Sequence, residues 1–338
     1  MALEARPPVS VNSGYGVLLV VGIVKVFVEE LKPGDQVDSA FSVKYKRAVV
    51  KYANGWRFAF GAADKTGEVE VSYWGGDDAD AVRAVHDSFK EGSVVHVKGA
   101  VGSWKDRKKI DVNEGKGSIN PTDDFDLTDF LPETKKDVEE MYTELLELAD
   151  SVEHENYHKL LDAFFRDEDF AKAFKRAPGA MFYHHAWLGG LLEHSLAVAR
   201  IAVEASKGYE VNRDLLITGA LLHDIGKMKE FEVSTSIKVG EEGMLRGHLV
   251  MGEEMVREKA RSMGLEGRDL LKLSHVLLSH HGKQEFGSPK PPMFVEAVLV
   301  YYADELDSKA AQFARIKSET NTEDFRVYDR HWGQVYLK

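Results

Sequence analysis

The chain of 338 residues contains no cysteine, so disulfides and thiolate metal sites are both excluded. Any bound metal must be held by nitrogen and oxygen. Long apolar runs are also lacking. The longest, Val17 to Val28, is too short to span a bilayer and includes Lys25, so it reads as a buried strand. The first residues, Met1 to Pro8, show no basic region followed by an apolar core, and a cytoplasmic protein without a signal peptide is expected. Internal repeats and low-complexity segments are absent. Cations are in deficit: 44 Lys and Arg stand against 56 Asp and Glu, a net charge of −12, which argues against a nucleic-acid partner. The excess is uneven, however. It gathers at Asp123, Asp124, Asp126, Asp137, Glu139, Glu140 and Asp167 to Asp169, whereas the first third carries a local basic cluster. Charge weakens the nucleic-acid class without removing it.

The length allows two domains with a sizeable core. Alternation of apolar and polar residues marks strands at Phe41–Lys46, Trp56–Phe60, Gly67–Trp74 and Ser93–Gly99, separated by turn residues such as Asn54-Gly55 and Thr66-Gly67. One short helix is expected over Asp80–Phe89. Several short strands with one helix fit a small closed barrel, of which the OB-fold is the usual five-stranded version. From Lys135 the pattern turns helical, with Val138, Met141, Leu145, Leu148 and Val152 at threes and fours. Further helices are expected at Leu188–Ser206, Arg213–His223, His248–Ser262, Arg268–His280 and Phe294–Phe313, with a hairpin or loop between Glu230 and Gly247. The fold class is thus multidomain α and β, a five-stranded OB-fold barrel followed by an all-α helical bundle. The expected division is an N-terminal extension (1–36), the barrel (37–118), an acidic linker (119–135), the helical domain (136–315) and a C-terminal tail (316–338).

The chemistry concentrates at His223-Asp224, an imidazole and a carboxylate at the end of an apolar helix, with Lys227 less than one turn beyond. A His-Asp dipeptide alone says little, and a lone histidine is more often a hydrogen-bonded core or surface residue. The company is what counts. His194 precedes the pair, and His248, His280, His281 and Asp304 follow, each at or inside a helical segment. Successive antiparallel helices would bring such residues to one centre. Taken alone, Asp304 could equally be solvated or pair with Lys309. His184 and His185 are candidates to cap or line the cavity. A ligand set of imidazole and carboxylate suits Mn, Fe, Co, Ni or Zn better than an oxygen-only Mg site.

The order His194, His223-Asp224, His248, His280-His281, Asp304 resembles the HD-domain metal phosphohydrolases. The phrases Asp64 to Val69, Tyr183 to His185, Gly189 to His194 and Leu31 to Val37 resemble, more narrowly, the YhaM-type 3′→5′ exoribonucleases, which place an OB-fold ahead of the HD domain. The resemblance implies two divalent ions, manganese foremost. One would be held by His194, His223, Asp224 and Asp304, with Asp224 bridging to a second completed by His248 and His280, and His281 as a further candidate. It implies that Asp224 and Lys227 act in catalysis, Lys227 by stabilising charge on the phosphoryl oxygens. The other reading of Lys227 is a surface lysine near a helix C-terminus. The implied reaction is hydrolysis of single-stranded RNA, and of single-stranded DNA as a second substrate, from the 3′ end to nucleoside 5′-monophosphates. Alternative readings are an HD phosphohydrolase for a small nucleotide and a non-catalytic nucleic-acid-binding protein.

Single strands are bound by basic grooves with aromatic platforms, since stacking accepts any base. Candidates are Lys44, Tyr45, Lys46, Arg47, Trp56, Trp104, Lys105, Arg107, Lys108 and Lys109, with Phe58 and Trp74 as core residues or platforms. Ser103 to Lys109 is expected to form a hairpin at the barrel rim. The segment Phe325 to Trp332 with Tyr336 either lines the strand's path or packs over the helical domain. No membrane partner is expected; a homo-oligomer is left open.

Overall fold

A computed structural model describes residues 25–338, apart from Asp106 and Tyr183. Most of the expected strand at Val17–Val28 lies outside these residues; Val28 itself starts a 3-10 turn, Val28–Glu30. The chain divides into two compact units, the first ending at Leu131 and also taking in Ser234–Ser236, the second formed by the rest from Pro132 onward.

The first unit is built on β1 (Gln36–Lys46), β2 (Val50–Tyr52), β3 (Gly55–Asp64), β4 (Gly67–Trp74), α1 (Ala79–Asp87), β5 (Val94–Trp104), β6 (Arg107–Asn113) and β7 (Ser118–Pro121). Five strands pair in the order β1-β3-β4-β6-β5, and β5 returns to β1, closing the barrel. All these pairs are antiparallel except β4–β6. Closure with one parallel pair and a helix between the third and fourth barrel strands is the OB-fold. A register shift between Val43 and Tyr45 bends β1 so that it can pair on both sides. Phe41, Phe58, Phe60, Val71, Val95, Val97, Ile110 and Val112 fill the interior. The Asp64 to Gly67 turn is tied by one carboxylate: Asp64 accepts from the backbone of Val28 and Thr66 and from Lys25 Nζ. Burial lowers the Lys25 pKa, and the pairing with Asp64 only partly restores it.

Residues 119–135, read as a linker, carry β7, which pairs with β5, then a 3-10 turn, Leu127–Asp129, followed by buried Phe130 and Leu131. Asp126 caps that turn by accepting from the Thr128 amide.

The second unit contains α2 (Val138–Asp150), α3 (Glu155–Phe165), α4 (Glu168–Phe174), α5 (Gly190–Ser206), α6 (Arg213–Leu222), α7 (Lys227–Glu230), β8 (Phe231–Val233), β9 (Ile237–Val239), α8 (Glu241–Ser262), α9 (Gly267–Ser279), α10 (Val295–Glu319), β10 (Arg326–Asp329) and β11 (Gly333–Tyr336). Two small hairpins, β8–β9 and β10–β11, are therefore added to the helices. The region before His248 is not all hairpin or loop. After β9 the chain enters α8 at Glu241, and Gly247, at φ +71°, kinks the helix so that His248 opens its second limb. Residues Leu215 to Leu222 of α6 are all buried, the mark of a helix packed on every side.

Candidate metal centre

Because α6 runs through the core of its unit, its last turn delivers His223 and Asp224 into the interior, both essentially inaccessible. Gly226 then lets the chain pass against α8: a Cβ there would lie 2.0 Å from the carbonyl oxygen of His248 and 2.6 Å from the amide nitrogen of Gly252. That close approach sets His248 beside Asp224. Gly282, at φ +77°, ends α9 and turns His280 and His281 inward. His194 comes from α5 and Asp304 from α10.

All seven expected ligands meet, and Asp224 divides them. His194 Nε2 and His223 Nε2 each lie 3.3 Å from Asp224 Oδ2, and Asp304 Oδ1 is 3.1 Å from His194 Nε2. On the other oxygen, His280 Nε2 is 3.4 Å and His248 Nε2 3.5 Å from Asp224 Oδ1. His281 Nε2 stands 3.2 Å from His248 Nε2. Ligand-atom groupings suited to a cation include Asp224 with His248, His280 and His281, and Asp224 with His194 and His223.

The outer nitrogens explain which way each ring points. Nδ1 of His223 donates to Ala220 O (2.8 Å), that of His280 to Leu277 O (2.7 Å) and that of His281 to Phe286 O (2.8 Å). Carbonyls only accept, so the proton is on Nδ1. Nδ1 of His248 faces Glu230 Oε2 at 2.9 Å, and Nδ1 of His194 faces Asp307 Oδ2 at 2.7 Å. Four Nε2 atoms, those of His194, His223, His248 and His280, therefore face one carboxylate, with the His194 and His223 nitrogens only 3.2 Å apart. Asp224 Oδ1, Oδ2 and His280 Nε2 are buried without a hydrogen bond. Such an arrangement is costly unless cations occupy it. The residues fit divalent metal, with Asp224 common to the two groupings.

Electrostatics agree. Burial raises the Asp224 carboxyl, but Lys227, His223 and His194 outweigh it and hold it well below the carboxylate range. Burial similarly opposes ionisation of Asp304 and Asp307, and neighbouring histidines, His194 foremost for Asp304 and His185 with His194 for Asp307, bring both below that range. Burial lowers His194, yet Asp224, Asp304 and Asp307 raise it well above an ordinary imidazole: without a metal, a proton takes the cation's place. His281 is pushed down to about 4 by burial and by His280.

Lys227 is not a surface lysine. It is 9% exposed, and its Nζ lies 2.5 Å from Asp224 Oδ2 as an ion pair. Burial lowers its pKa, but Asp224 and Asp304 more than offset that. Sequence reasoning missed Glu230 and Asp307, the carboxylates that orient His248 and His194. The available signal was spacing: each lies three residues beyond a site residue, Lys227 or Asp304, on the same helix face. His185 is buried, and its Nε2 meets Asp307 Oδ2 at 2.9 Å, so it buttresses the orienting carboxylate. His184 is lowered to about 4 by burial, with Lys227 the next cause.

In the barrel, the basic and aromatic candidates separate by what they touch. Lys44, Trp104 (67% exposed), Lys105 and Arg107 are exposed and make no ion pair among the described residues. The last three lie at the β5–β6 hairpin, as expected. Arg47 pairs with Glu70 at 2.9 Å and stacks over Tyr45, whose ring covers Gly61. Lys46 instead donates to the carbonyls of His86 and Phe89 at the end of α1, Lys108 to that of Glu29, and Lys109 pairs with Asp111. Trp56 is half-buried beside Arg83, and Phe58 is core. Trp74 donates to Asp111 and lies under Arg57, an arginine that sequence reasoning missed.

A helical unit whose ordered histidines and aspartates converge on a shared carboxylate has the architecture of an HD-domain hydrolase, and the HD domain model matches residues 191–309. The chain is 32% identical over 263 residues to the 3′-5′ exoribonuclease YhaM of Oceanobacillus iheyensis, covering 78% of this chain and 80% of that one. It is 30% identical over 263 residues to the YhaM of Listeria innocua, covering 82% of the relative. With the YhaM of Halalkalibacterium halodurans the match is 28% over 297 residues, 86% of this chain and 89% of that one. The chain belongs to the 3′-5′ exoribonuclease YhaM family.

Proposed function

We propose that this protein is a cytoplasmic, metal-dependent 3′→5′ exoribonuclease that hydrolyses single-stranded RNA, and single-stranded DNA as a second substrate, to nucleoside 5′-monophosphates. The observation that carries the reading is the division of four imidazoles between the two oxygens of Asp224, with His281 beside His248 as a fifth. His194, His223, Asp224 and Asp304 would hold one divalent ion, and Asp224, His248, His280 and His281 a second, with manganese the leading candidate and Fe, Co, Ni or Zn alternatives. When bound, such a pair supplies an activated water and a clamp on phosphate oxygen. The chain's own residues do the rest. Glu230 and Asp307 fix the rings of His248 and His194, and Lys227 holds a buried positive charge beside the shared carboxylate. That charge favours the transition state, in which negative charge collects on the phosphoryl oxygens.

The barrel, over 37–118, is the strand-binding module, and 136–315 the hydrolase, with 1–36 as extension, 119–135 as a connecting segment anchored to the barrel by β7, and 316–338 as tail. Lys44, Arg47, Trp104, Lys105 and Arg107 are the residues whose exposure suits backbone and base contact, with half-buried Tyr45 beside them. Lys46, Lys108 and Lys109 hold their positions within the barrel and contribute field rather than direct grip. Among the described residues no helix is long and apolar enough to cross a membrane.

The test is a 5′-labelled single-stranded oligoribonucleotide incubated with protein and Mn²⁺, which should shorten stepwise to a short limit product. Asp224→Ala should abolish the ladder while oligonucleotide binding persists. A full-length label that survives a panel of divalent metals, alongside an active control nuclease, would overturn the proposal.

A further inference from the structure

His184 is the exception among the histidines around the centre. Its Nδ1 lies 3.2 Å from Nε2 of Gln312, and the orientation of that amide is chemically determined. Trp332 Nε1, which can only donate, meets Gln312 Oε1 at 2.8 Å. The other end of the amide is therefore NH₂, and it donates to His184 Nδ1. An imidazole that accepts at Nδ1 carries its proton on Nε2 when neutral, the opposite tautomer to His223, His280 and His281. The same donated hydrogen bond opposes a second proton at Nδ1. Trp332 is itself anchored, its ring tilted against Phe313 of α10 with centroids 5.0 Å apart and its backbone amide held by Asp329.

The ring sits at the edge of the centre, half-buried, its centroid 6.2 Å from that of His194. Among the described residues no protein group accepts from Nε2. The ligands present lone pairs; His184 presents an N–H. A metal site has no use for that N–H, whereas a phosphate bound there has oxygens that need donors.

We propose that His184 is a substrate-contacting residue that donates a hydrogen bond from neutral Nε2 to a phosphoryl oxygen, with Gln312 and Trp332 as positioning residues that hold its tautomer. This rests on the phosphodiesterase reading above. No proton is transferred: the N–H stays on Nε2 throughout, and the interaction strengthens as charge builds on the oxygen. His184 is thus a fixed dipole, distinct from a general acid.

The experiment combines turnover with a direct view of the tautomer. Wild type, His184→Ala, His184→Gln and Gln312→Glu are compared for metal content, RNA affinity and single-turnover cleavage of labelled RNA. Zn²⁺-loaded protein with ¹⁵N-histidine gives the tautomers by long-range ¹H–¹⁵N spectra. The expectation is that His184→Ala lowers the cleavage rate on the order of 10²-fold, with metal content and RNA affinity unchanged. His184→Gln, which keeps an N–H donor, should recover part of the loss. Wild-type His184 should show an unprotonated Nδ1, and Gln312→Glu should move the proton there and slow cleavage. An unchanged rate in His184→Ala, a loss traced to missing metal, or an Nδ1-protonated His184 in wild type would each overturn the proposal. If wild type leaves RNA intact, the exonuclease reading fails, and the spectra still decide the tautomer.

Discussion

Each metal-facing imidazole uses its outer nitrogen to fix its orientation, and two of the five do so through a carboxylate. Glu230 is the clearer case, since it accepts from both the ring and the backbone amide of His248. Glu230→Ala should weaken Mn²⁺ binding by about 10–100-fold, with activity largely restored at high metal concentration. Metal titration followed by activity measures both, and an unchanged affinity would deny Glu230 its orienting role. The candidate ligands were legible in the sequence because imidazole and carboxylate are recognisable wherever they stand. Glu230 and Asp307 were not, because an acid on a helix is ordinary until its partner is known. Burial of neutral groups has its own signature. Burial raises Tyr142 to about 12 and Tyr157 further. Both folded values exceed the unfolded one of about 10. The stability they contribute is complete below pH 10 and is lost as pH rises through 12. Alkaline difference absorbance should show a late-ionising group of tyrosines whose titration coincides with unfolding.

Among elements, the passage of α7's entry turn against α8 sets the spacing between Asp224 and His248. Gly226 has ordinary helical angles, so its role is space alone. Gly226→Ala should cost about 1–3 kcal/mol, the range for overpacking a tight contact, and should reduce metal occupancy as His248 is displaced. Denaturant midpoints and metal analysis would register this; a variant as stable and as metal-loaded as wild type would contradict the close packing. Periodicity located most helices and strands, since burial of one face imposes it. It failed before His248, where the first limb of α8 exposes Met244 and Leu245 and leaves no clear apolar face. It also could not distinguish an acidic linker from β7 and a capped turn, because four-residue strands at a sheet edge carry little pattern.

For the whole molecule, two separate cores imply two responses to metal. Removing the ions leaves converging lone pairs and carboxylates in the helical unit, while the barrel core contains none of them. At about a thousandfold excess over Kd, a bound ion stabilises by roughly 4 kcal/mol. Chelation should therefore lower the melting transition of the helical unit and leave that of the barrel in place. Calorimetry with and without chelator would separate the two, and an equal shift of both would contradict independent cores. The sequence by itself determined the chemistry and the order of the candidate ligands and the division into a β module and a helical one. Side-chain type and hydrophobic period are local properties, and a chain carries them openly. Only the tertiary structure decided which oxygen of Asp224 each imidazole faces, which carboxylates hold those rings, and that His184 carries its proton on the opposite nitrogen. A tautomer depends on the partner across the gap, and those partners lie up to 128 residues apart in the chain.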